Sequence, residues 1–279
     1  MKYNIIDLSD WEIVNRGKGF SNSYWMLNTK TRREGLFKRP KHNDYYDCYY
    51  GDHWAEKIVA EIGNKLMFSM PEVDLAIYNN KPGCISYNFL EKDEVLKEGI
   101  EILKVDVSKD NRSKYILSNI IDALSEYNLV ENFICLLLFD IFIGQPDRHE
   151  ENWGIIVSKS KDTRLSPIYD NASSLGRNLL TNKINQMFSD NNYFTNYINN
   201  CYSAILLEEN ERISQFVMLD YIINNFNSIY SDFMERISEI KQDDLANIIN
   251  KVPGFIMTDQ QKKLVLKILL ARKEIMINK

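Results

Sequence analysis

Asp147 and Asn152 lie in the segment GQPDRHEENWGIIV, Gly144 to Val157, separated by four residues. A carboxylate can take the proton of an attacking hydroxyl, and an amide oxygen a few residues on can face a hard cation. Loops that pass a phosphoryl group to a hydroxyl use this pairing. A second oxygen ligand follows in LSPIYDN, Leu165–Asn171, where Asp170 closes an apolar run. With a β-hairpin between them, Asn152 and Asp170 can share one Mg²⁺ bound to nucleotide phosphates. The plainer alternative is that Asp147 and Asn152 only shape a turn. His149 reads either as a catalytic acid or as a loop histidine bonded to backbone.

Lys38 sits in GLFKRP among apolar neighbours, where a charge needs a partner. Glu56, on the helical segment that follows, is that partner in this reading, and the pair would grip α- and β-phosphates. A lysine snorkelling from an edge strand is the alternative. RGKGFSNSYW, Arg16–Trp25, brings Gly17, Gly19, Ser21, Asn22 and Ser23 together between two candidate strands. Its backbone N–H groups could cradle phosphate, or it could be an ordinary hairpin turn. In YNFLEKDE, Tyr87–Glu94, residues Asn88, Phe89 and Leu90 would offer backbone groups to an adenine edge.

The elements that must hold these residues fall into two kinds. Up to about Leu90, short β-type runs prevail: Trp11–Val14, Tyr24–Leu27, Gly35–Pro40, Val73–Tyr78 and Cys84–Leu90, the last two split by a turn at Asn79–Gly83. Asp52–Leu66 has helical spacing, with Asp52 as its N-cap. After Glu91 helices dominate, at Arg112–Glu126, Leu129–Ile143, Val217–Tyr230, Asp243–Ile249 and Asp259–Ile275. A hairpin from Trp153 to Ile168 interrupts them. The expectation is an α+β, two-lobed fold. Its small N-terminal lobe, 1–90, carries one main helix, and its larger helical lobe, 91–279, carries the Asp147 loop. Ligands often bind between two lobes.

Composition narrows the function classes. The chain has 279 residues, a net charge of −5 and 44% hydrophobic residues. A chain-wide basic surface for nucleic acid or anionic lipid is not expected. No apolar run reaches the roughly 20 residues that span a bilayer, and the acidic start shows no secretory signal. The four cysteines form no C-x-x-C pair, and the three histidines lack metal-ligand spacing. Reduced thiols in the cytoplasm are the expectation.

These segments resemble the HipA-like serine/threonine kinases. GQPDRHEENWG is similar to that family's N-x-D-x-H-x-x-N loop, LSPIYD to its metal-binding strand end, and GLFKRP with GDHWAEKIVAEI to its lysine strand and following helix. Gln145 stands where many members have Asn. The resemblance covers about Trp11 to Ser174 and, more loosely, the C-terminal helices; it implies a compact member with a two-lobed protein-kinase-like fold. It implies ATP with Mg²⁺ and phosphorylation of a protein serine or threonine. Asp147 would be the base, Asn152 and Asp170 metal ligands, and Lys38 a phosphate contact. It also implies autophosphorylation at Ser21 or Ser23 and an antitoxin or regulatory partner. D-R-H-x-x-N occurs in phosphoinositide kinases too, so a lipid or small-molecule kinase is an alternative, as is a nucleotide-binding pseudokinase.

Overall fold

The structure, a computed structural model, describes residues 1–17, 23–107, 109–160 and 162–279. The first strands are β1 (Ile5–Asp7), β2 (Glu12–Arg16), β3 (Ser23–Leu27), β4 (Glu34–Lys38), β5 (His42–Asn43) and β6 (Cys48–Tyr49). Helix α1 (Asp52–Lys65), β7 (Val73–Tyr78), β8 (Lys81–Tyr87), β9 (Glu94–Glu98), α2 (Gly99–Ile102), α3 (Leu117–Ser125) and α4 (Val130–Ile143) follow. Strands β10 (Gly154–Ser158) and β11 (Thr163–Leu165) precede α5 (Thr181–Ser189), α6 (Asn191–Asn199), α7 (Gln215–Asn225), α8 (Asn227–Glu239), α9 (Gln242–Asn250) and α10 (Asp259–Ile277).

The chain forms two compact units. The first comprises Met1–Phe89, Asp170–Ser189 and Lys241–Lys267; the second comprises Leu90–Tyr169, Asp190–Ile240 and Ile268–Lys279.

In the first unit a six-stranded sheet runs β1-β7-β8-β4-β3-β2. Only β1, paired with β7, is parallel. β8 lies between β7 and β4, so Gly83 through Tyr87 are all buried, as a central strand demands. Gly83 cannot be larger, because a Cβ there would meet the Phe37 ring at 2.4 Å. The turn before β8 is shorter than Asn79–Gly83. Asn79 and Asn80 alone form it, both at positive φ, the two-residue type that suits a hairpin. Helix α1 buries ten of its residues against β7, β8 and α9. Its N-cap is Gly51 rather than Asp52, and no side chain caps it. The Asp52 carboxylate pairs instead with Arg177 at 2.9 Å.

The second unit is built on α4. Its sequence VENFICLLLFDIFI is apolar all round, and ten of its residues are buried against α3, α7 and α8. Strands β9, β10 and β11 form an antiparallel sheet, so the expected hairpin has a third strand. The helix expected from Arg112 starts only at Leu117. Lys109–Lys114 form a separate 3₁₀ turn, and the chain is extended at Ile116, which bridges Leu206 while the Leu117 N–H donates to the Leu206 carbonyl. The helix expected over Val217–Tyr230 is two helices, broken at Phe226.

Candidate active site

In the first unit the chemistry gathers around Lys38, the last residue of β4. Its Nζ lies 2.7 Å from Asp170 Oδ1. Asp170 adopts a left-handed backbone, φ 56°, which aspartate tolerates better than most residues. Glu56 on α1 is fully buried. Burial pushes the Lys38 ammonium toward neutrality, but Asp170, and then Glu56, more than reverse this, so its pKa is raised. The lysine thus stays charged beside two carboxylates on different elements. Cys84 lies opposite Lys38 across the sheet, and burial followed by Glu56 pushes its thiol pKa up.

Ser23 is buried and faces Lys38 across β3 and β4. The Gly17 N–H donates to the Ser23 carbonyl at 2.9 Å, and a Cβ on Gly17 would lie 2.1 Å from Ser23 Oγ. Glycine is required by this approach. Gly19, Ser21 and Asn22 lie outside the described residues. Asn88 is engaged with β4, its N–H donating to the Glu34 carbonyl at 2.9 Å. That backbone donor is therefore spent within the sheet. Phe89 and Leu90 follow in irregular, half-buried chain.

In the second unit Gly144, at φ 67°, ends α4 in the left-handed cap that glycine favours and releases the loop. Asp147 is exposed on that loop, and its N–H donates to Gln145 Oε1 at 3.3 Å. The Asn152 amide nitrogen donates to the Asp147 carbonyl at 2.9 Å. This bond uses the donor end of the amide and leaves its oxygen end for a cation. The Asn152 N–H donates to the His149 carbonyl at 2.9 Å, closing the turn between the two residues.

Arg148, nearly fully buried, holds this loop in place. Its Nε and Nη2 reach both oxygens of Asp140 at 2.9 and 2.7 Å. Its Nη1 donates to the carbonyls of Asn152 at 2.8 Å and Tyr169 at 2.7 Å. One guanidinium therefore ties α4 to the loop and to the residue just before Asp170. Burial raises the Asp140 pKa even with Arg148 bound to it. The Tyr115 hydroxyl donates to the Arg148 carbonyl at 3.0 Å and accepts from Trp153 Nε1 at 2.7 Å. Sequence reasoning missed this support. The signal was a lone carboxylate inside LLLFDIFI, a position that requires a buried cation.

Residues 25–249 match the family of the HipA-like C-terminal domain. No curated protein matches the sequence. Among solved structures the chain is similar to a Helicobacter pylori proinflammatory kinase, CtkA. The TM-score is 0.79 at 20% identity over 97% of this chain and 94% of that one. It is also similar to a chain in the complex of the Shewanella oneidensis MR-1 toxin–antitoxin system HipA and HipB with operator DNA. There the TM-score is 0.63 at 14% identity over 96% and 67% of the two chains. At such identities the likeness is one of fold, the α+β fold of HipA-like kinases.

Proposed function

This chain belongs to the HipA-like C-terminal domain family, and on that premise we propose that it transfers the γ-phosphoryl group of ATP, with Mg²⁺, to serine or threonine hydroxyls of a protein. The observation that carries the reading is the charged Lys38 set against Asp170, with Glu56 acting on it from α1. A lysine kept protonated at the end of a sheet strand is a ready counter-charge for phosphates. Phosphates arriving at Lys38 compete with Asp170 for it and release that carboxylate.

The donor set fits a hard cation. Asp170 offers carboxylate oxygens and Asn152 an amide oxygen, the ligands Mg²⁺ takes beside phosphates. These two residues would hold the ion, which would neutralise charge on the transferring group. Asp147 accepts the proton of the acceptor hydroxyl, and Arg148 fixes the loop that carries it. An antitoxin-type or regulatory protein is the partner that this reading carries over, without direct nucleic-acid contact. A cytoplasmic location is supported by four free thiols. No helix among the described residues is long and apolar enough to cross a membrane.

Incubating the protein with γ-labelled ATP, Mg²⁺ and a cell lysate tests the reading. Label should appear on protein serine or threonine with the wild type and vanish with Asp147→Ala or excess chelator. Label in lipid or small-molecule fractions, or equal labelling by the variant, would overturn it.

A further inference from the structure

Arg272, on α10, is 1% exposed, and no carboxylate among the described residues forms an ion pair with it. A guanidinium so placed needs other negative partners. Its Nε donates to the Ile141 carbonyl at 2.5 Å, in the last turn of α4, and its Nη1 to the Ile198 carbonyl at 3.3 Å, in the last turn of α6. The final carbonyls of a helix lack partners within it and carry partial negative charge. Arg272 thus caps two helices at once.

Its Nη2 donates to Gln215 Oε1, and the other end of that amide donates to the Gln145 carbonyl at 2.5 Å. Gln145 in turn accepts the Asp147 N–H on its own Oε1 at 3.3 Å. All three side chains are at least 98% buried, so water cannot substitute for these bonds. The amide of Gln215 is read in one direction only: oxygen toward the cation, nitrogen toward the loop.

We propose that Arg272 and Gln215 are positioning residues for Asp147, forming a buried relay that fixes the loop from the far end of the chain. This rests on Asp147 being the base. The decisive variant is Gln215→Glu. It keeps the volume and gives Arg272 a carboxylate, yet it removes the N–H donor to Gln145 and sets a negative charge against that carbonyl. A residue that served only the fold would tolerate the change, because the buried cation gains a partner.

The measurements are kcat and KM for transfer from Mg-ATP to a serine/threonine peptide library, nucleotide affinity, and thermal melting, on the full chain. Small displacements of a reacting group cost up to about 100-fold in rate. Gln215→Glu should lower kcat roughly 10–100-fold with KM, nucleotide affinity and melting near wild type. Gln215→Leu should lower kcat similarly and also lower the melting temperature, since Arg272 then loses an acceptor. Wild-type kcat in Gln215→Glu overturns the relay, as does a fall in kcat that merely tracks lost folding. Undiminished transfer by Asp147→Asn overturns the base assignment itself, and the relay with it.

Discussion

Lys38 Nζ and Asp170 Oδ1 lie 2.7 Å apart although the residues are separated by 132 positions in the chain. The pair joins the end of β4 to the residue that follows the β10–β11 hairpin strand by a few positions. Removing the cation leaves Asp170 and the buried Glu56 without their shared counter-charge. Lys38→Met should destabilise the protein by about 1.5–3 kcal/mol, the scale for losing a hydrogen bond between charged groups. It should also abolish transfer. Urea unfolding and labelled-ATP turnover check both parts, and a variant with full turnover would remove Lys38 from the site.

The roles proposed for Asp147 and Asp170 are separable by experiment. General-base catalysis contributes roughly 100–10,000-fold, so Asp147→Asn should reduce turnover by about that much with little change in nucleotide affinity. Asp170→Ala should abolish turnover and also weaken Mg²⁺-dependent nucleotide binding. Titrating nucleotide with and without Mg²⁺ in both variants separates them. Equal loss of affinity in both would show that the two carboxylates share one role.

Arg148 and Asp140 form a buried pair with side chains 3% and 4% exposed. Breaking such a pair from one side costs about 3–5 kcal/mol, because the remaining charge is stranded. Arg148→Met should therefore be destabilising on that scale, and Asp140→Leu comparably so. The double variant should recover much of the loss, because neither charge is then left alone. A double-mutant cycle by urea unfolding measures this coupling, and simple additivity of the two losses would show that the pair is not the unit of stability.

The turn that carries Asp147 and Asn152 was legible because the two residues are close in sequence, and local bonds close it. Lys38 was legible as a charge in an apolar strand. Its 2.7 Å partner, Asp170, was not, since no local pattern reports a contact across 132 positions. The core of the sheet followed from β-type runs, but three-residue β1 offers too little pattern to read. NNYFTNYINN holds α6, although its many asparagines mask the helical spacing. There Phe194 and Ile198, one turn apart, are the buried face and the asparagines are mostly solvent-facing. Arg272 and Gln215 act through backbone carbonyls, which sequence does not distinguish.

The loop serines are unequal. Ser23 is 4% exposed at the start of β3, with Gly17 packed against its hydroxyl, so it is a poor phosphate acceptor. Ser21 lies outside the described residues and is the better candidate of the two. A phosphoserine there would add about −1.5 to −2 charges to the segment proposed to receive the phosphates of ATP. Mass spectrometry after incubation with Mg-ATP should find modification at Ser21 and not at Ser23, and the modified fraction should lose nucleotide binding. Phosphate on Ser23 would contradict the packing argument.

His53 supplies a pH dependence. It lies on α1, 4% exposed, and its Nδ1 has no hydrogen-bond partner among the described residues. Burial lowers its pKa from 6.5 to about 4. Between those values the unfolded chain binds a proton that the folded chain does not, so stability falls as pH falls through this window and levels off below it. The difference corresponds to about 3 kcal/mol at most, from roughly 1.4 kcal/mol per pKa unit. Carboxylates titrate in the lower part of the same range, so the informative quantity is a difference between proteins. His53→Leu removes this proton site and fills the space with apolar atoms. The gap in unfolding free energy between variant and wild type should shift in favour of the variant as pH drops from 7 to 4.5. A gap that stays constant across that range would mean that His53 takes up its proton as readily in the folded protein as in the unfolded chain.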